Sequence, residues 1–150
     1  MKHLSQLLYQ IKLANESVTS LFEKGLGISL TRYQILTNLL DQAPCSQQDL
    51  QEKLRIDRAA ITRHLKILED KGYIQRERNP ENLREMLVQP TQLAWNDLQV
   101  HPPAHHLAVK AAMESILSDE EEEQLSYLLE KLVSGLQDLP LETVIEEKGE

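Results

Sequence analysis

A helical projection of residues 58–71 places Arg58, Ala59, Thr62, Arg63 and Lys66 on one continuous arc, with three cations and no acid among the five positions. The opposite stripe, Ile61, Leu65 and Leu68 at i, i+4 and i+7, is apolar and belongs in a core. Guanidinium and ammonium groups pair with phosphate oxygens, Arg and Thr reach base edges, and Ala permits close approach. Such an arc suits the major groove of duplex DNA. The alternative is a solvated basic face. Arg76, Arg78 and Arg84, in a β-prone hairpin directly downstream, favour the groove reading, because a face that only meets water has no need of a second cationic element beside it.

Other chemistry is thinly represented. No Gly-rich phosphate loop, nucleophile elbow or paired metal motif is present, and nothing in the spacing pairs Cys45 with a histidine, so catalysis is not expected. His101, His105 and His106 cluster beside Pro102-Pro103, and neutral imidazoles suit zinc or copper. No Cys or acidic partner completes a ligand set, so they read as an exposed linker cluster. Cys45 precedes a capped helix whose dipole would lower its thiol pKa and favour oxidant sensing; an inert small residue in a turn is the preferred reading. No cofactor is expected.

Three elements must position the basic residues. Ser46-Gln47-Gln48-Asp49 reads as a capping box opening a helix that ends near Leu54, and Ser46 and Gln47 at its start are counted with the DNA-contacting set. The turn Arg55-Ile56-Asp57 follows, with Asp57 placed to cap the basic helix and oppose its positive dipole end, and it too is counted with the DNA-contacting set. Gly72 fits that helix's C-cap. Residues 73–78 and 84–89 then read as the two strands of a hairpin whose tip is Asn79-Pro80-Glu81-Asn82.

This order, with Ala60-Ile61-Thr62-Arg63, Leu68-Glu69-Asp70-Lys71-Gly72-Tyr73-Ile74 and Asn82-Leu83-Arg84, resembles the MarR family of bacterial transcription regulators. The resemblance implies a winged helix-turn-helix in a mainly α (α+β) chain, with a two-stranded wing flanked by N- and C-terminal dimerisation helices. It implies that the arginine at Arg84 enters the minor groove, where a narrow, negative groove favours guanidinium. Two positions depart from the family pattern. Asn82 replaces the acid of the usual Asp-x-Arg, and Pro90 removes a ladder donor at the end of the second wing strand. Family members are dimers that commonly release DNA on binding a small, often aromatic or phenolic molecule.

At 150 residues with 41% apolar and 4% aromatic content, the chain suits one domain built from aliphatic helix packing. The expected layout is a winged region over 31–90, helical dimerisation segments over 1–25 and 91–137, and an acidic tail over 138–150. No apolar run reaches membrane-spanning length, and one cysteine suits a reducing compartment, so a cytoplasmic protein without a membrane partner is expected. The net charge of −8 is unevenly spread. Residues 53–84 hold nine basic against five acidic side chains, a balance of +4, while 119–150 hold two against eleven, a balance of −9. A basic reading head with an acidic far end orients a protein on DNA. Leu4, Leu7, Leu8, Ile11, Ala14, Val18 and Leu21 form one helical stripe, and Leu125, Leu128, Leu129, Leu132, Val133 and Leu136 another. Together they offer more apolar surface than one small domain needs; the stripes either pack within one chain or cover a second copy, and it is the family resemblance that implies the homodimer.

Overall fold

Side-chain caps set most of the helix starts. Ser29, Ser46, Asp57, Thr91 and Ser118 each have extended backbone and accept a hydrogen bond from the amide three residues on. In the computed structural model, which describes residues 3–142, these caps begin α2 (Leu30–Gln42), α3 (Gln47–Leu54), α4 (Arg58–Asp70), α5 (Gln92–Trp95) and α7 (Asp119–Gln137). Two helices start without such a cap: α1 (Leu4–Leu21), which runs into a π-helical turn over Phe22–Leu26, and α6 (Ala104–Glu114) beyond Pro102-Pro103. Gly27, at φ 67°, stops the first of these.

The α4 C-terminus is a Schellman closure. Gly72 adopts φ 80° while its amide bonds Glu69 O and the Tyr73 amide bonds Leu68 O, releasing the chain into β2. Strands β2 (Ile74–Asn79) and β3 (Asn82–Pro90) form the expected hairpin. A third, two-residue strand, β1 (Cys45–Ser46), pairs with the other side of β3, giving the order β1-β3-β2. It was not expected because two residues carry no periodicity. The register also breaks near the tip: Arg78 faces Met86 while Asn79 faces Asn82, so Leu83, Arg84 and Glu85 are surplus to the ladder.

The chain divides into two compact units, residues 1–109 and 110–150. In the first, Ile35, Leu36 and Leu39 of α2, Leu50 of α3, Ile61, Leu65 and Leu68 of α4, Ile74, Val88 and Ala94 make one buried cluster. The apolar stripe assigned to the basic helix is therefore core. Tyr33 of α2 is half-buried and meets Phe22 edge-on at 5.5 Å. In the second unit α7 carries a complete capping box, Ser118 with Glu121, and buries none of its residues. Of the expected acidic tail over 138–150, residues 143–150 lie outside the described part.

Candidate nucleic-acid interface

With Ile61, Leu65 and Leu68 fixed in the core, the periodicity of α4 forces its other face outward. Arg58, Ala59, Thr62, Arg63 and Lys66 are all exposed. Asp57 Oδ1 accepts the Ala60 amide at 2.9 Å and so holds the helix start; its role is local. Lys66 Nζ lies 3.4 Å from Asp70 on the same exposed face, a pair that water and salt screen.

Beside this face, α3, the start of α4 and the wing enclose an open cavity of about 570 Å³. Gln47, Arg58, Arg78, Asn82 and Arg84, all anticipated from sequence, line it together with Gln48, Gln51, Glu52, Glu85 and Met86. Gln51 was missed, although its i+4 spacing from Gln47 on α3 is the signal that would have found it. The wing cations are held by backbone and amide groups. Arg78 Nη1 donates to Leu83 O at 3.2 Å, bracing the surplus residues. Asn82 Oδ1 accepts the Arg84 amide at 3.2 Å, so the residue replacing the usual acid orients Arg84 through its main chain.

Besides Asp57, which caps α4, two residues of the expected contact set serve other purposes. Ser46 is buried, and its hydroxyl accepts the Asp49 amide at 3.0 Å. It caps α3 and has no surface to offer. Arg76 turns to Glu69 in a two-pronged pair, Nε to Oε2 and Nη2 to Oε1 both at 3.1 Å, and is mostly covered. It ties the wing to α4, and the hydrogen bond from Arg76 draws the Glu69 carboxyl below its usual pKa. Behind the α4 surface, Arg32 Nη1 lies 3.3 Å from His64 Nδ1. Burial first, then the charges of Arg32 and Arg63, lowers the His64 pKa, so the ring stays neutral at pH 7 and accepts from Arg32.

The alternative sensor residues fare differently from the basic arc. Cys45 packs against the core, and burial foremost, with Asp49, raises its thiol pKa against the opposing pull of Lys53, a direction opposite to the dipole activation that oxidant sensing would use. The His105 and His106 rings meet edge-on at 4.3 Å, and burial and His105 lower the His106 pKa. Among the described residues no group of three or more His, Cys, Asp or Glu side chains is arranged to hold a metal ion. Among them, too, no helix is long and apolar enough to cross a membrane.

A capped helix pair, its second member basic and outward-facing, followed by an arginine-bearing hairpin, defines a winged helix-turn-helix protein. Residues 28–86 match the model of the MarR family. The chain is 46% identical over 87 residues to the Bacillus subtilis protein YdgJ, named an uncharacterized HTH-type transcriptional regulator, a match covering 58% of this chain and 53% of that one. The chain thus spans about half the length of that relative. It is 26% identical over 110 residues to the Staphylococcus aureus HTH-type transcriptional regulator MgrA, covering 73% of each. Among solved structures, a probable transcriptional regulator from Pseudomonas aeruginosa superposes with TM-score 0.73 at 28% identity, over 85% of this chain and 96% of that one. Reduced AbfR bound to DNA superposes with TM-score 0.72 at 25% identity, over 91% and 94%. YdgJ, MgrA and the Pseudomonas protein are all named as transcriptional regulators.

Proposed function

We propose that this protein is a dimeric, sequence-specific DNA-binding transcriptional repressor that acts at a pseudo-palindromic operator. The observation that carries the reading is the exposed arc Arg58, Thr62, Arg63 and Lys66 beside a cavity into which Arg58, Arg78 and Arg84 converge. In it, α4 enters the major groove and Arg84 reaches the minor groove or flanking phosphates. The likeness to AbfR, solved bound to DNA, supports this assignment.

Dimerisation is supported by apolar surface that the single chain leaves open. Helices α1, α6 and α7 bury none of their residues, while Leu4, Leu7 and Leu8, and Leu125, Leu128 and Leu136, are each at least 40% exposed. A two-fold pair would present two α4 helices to successive major grooves. Release by a small aromatic or phenolic effector belongs to the same reading through the family resemblance.

The test is fluorescence anisotropy with a duplex from the gene's upstream region against a scrambled duplex, at several salt concentrations and with Arg63→Ala. Selective, salt-dependent binding lost in the variant is the expected result. Equal weak binding of both duplexes would remove self-regulation and send the search to random-sequence DNA. Light scattering is expected to give twice the chain mass.

A further inference from the structure

Thr62 lies within the exposed arc of α4, where its hydroxyl is already engaged on two sides. The proton goes to the Arg58 carbonyl oxygen at 2.8 Å, and the oxygen accepts from Gln47 Nε2 of α3 at 3.0 Å. These two bonds fix Oγ1 toward its own preceding turn and the neighbouring helix, and the γ-methyl takes a different staggered position. A base that used the hydroxyl would have to compete with Gln47, giving up one hydrogen bond for another. The methyl carries no such obligation. In the major groove the C5-methyl of thymine is the apolar handle on a base edge, and a threonine methyl is a suitable partner for it.

We propose that Thr62 selects thymine through its γ-methyl and that Gln47 is a positioning residue holding Thr62 in that rotamer, an inference resting on the DNA-binding reading above. It gives Gln47 a task one step removed from the base and predicts which chemical group of the operator matters.

Random-sequence duplexes selected by the full chain supply the probe. Each thymine in the selected site is then replaced by deoxyuridine, which removes the C5-methyl and leaves the hydrogen-bonding edge intact. At one position per half-site the replacement should weaken wild-type binding about fourfold, the worth of one buried methyl. Thr62→Val, which keeps a methyl and loses the hydroxyl, should retain the thymine preference. Thr62→Ser, which keeps both hydrogen bonds and loses the methyl, should bring the ratio to about one, and Gln47→Ala should reduce it. Both Thr62 variants lie on an exposed surface, so folding is not at stake. A thymine preference kept by Thr62→Ser, lost by Thr62→Val, or absent at every position in the wild type overturns the methyl reading; an unchanged ratio in Gln47→Ala overturns the positioning role. A selection that enriches no sequence overturns the DNA-binding reading, and this inference with it.

Discussion

Arg63 and Lys66 share a helix face and a charge, but they differ in what they can distinguish. A guanidinium has a planar fork that matches the paired acceptors of a guanine edge, whereas an ammonium is a point charge that any phosphate satisfies. Arg63→Ala is therefore expected to weaken a specific site by about 1–3 kcal/mol and relax its base preference, while Lys66→Ala weakens all sequences more evenly. Competition binding against point-mutated duplexes separates the two. The Glu69–Arg76 pair makes a different residue-scale statement. Because the folded-state pKa of Glu69 is depressed, its contribution is complete above the ordinary carboxylate pKa and is lost as pH falls through the lower, folded value. Thermal unfolding of Glu69→Gln should show a deficit at neutral pH that closes in acid. The deficit should be at most about 1 kcal/mol, since the Glu69 side chain is 37% exposed.

At the scale of elements, α4 serves two masters: one face is core and the other is free. Leu65→Ala should cost about 2–5 kcal/mol in urea unfolding, because the side chain is fully buried and its removal leaves a cavity. Gly72→Ala should cost about 1–2 kcal/mol, since the Schellman closure requires φ 80° and a Cβ there is strained even where space exists. Much of this element plan was legible in the sequence. Ser46, Asp57 and Ser118 sit before apolar periodicity and cap helices through bonds only three residues long, so local spacing suffices to find them. The stripe Ile61, Leu65 and Leu68 is likewise a local signal. Arg76 misled, because its partner Glu69 lies across a turn and a side chain's partner is set by tertiary approach. The Arg32–His64 contact, 32 positions apart, and the two-residue β1 were hidden for the same reason. Ser46 was placed on the right helix end but on the wrong side of the surface.

At the scale of the whole molecule, charge is segregated along the chain. The balance of +4 over residues 53–84 against −9 over 119–150 directs the chain's attraction for a polyanion to one part of it. Binding should accordingly fall steeply with salt, and Arg84→Ala should reduce the slope of log K against log salt by about one, a phosphate-like loss measurable by titration at several ionic strengths. If α7 covers a second copy, Leu128→Asp should halve the mass seen by light scattering and weaken binding to a two-half-site duplex far more than to a single half-site.

The surplus residues at the wing tip bear on how such a protein diversifies. Below the Arg78–Met86 pair the ladder is in register down to the strand ends, and that register is what puts Val88 in the core. Above it, Leu83, Arg84 and Glu85 have no ladder partner on β2 among the described residues, the tie across being the Arg78 side chain to Leu83 O. A residue gained or lost there changes how far the Arg84 guanidinium extends without shifting any paired position beneath. Reach and register are thus inherited separately, and the wing can acquire a new target by a change in length that the core does not feel.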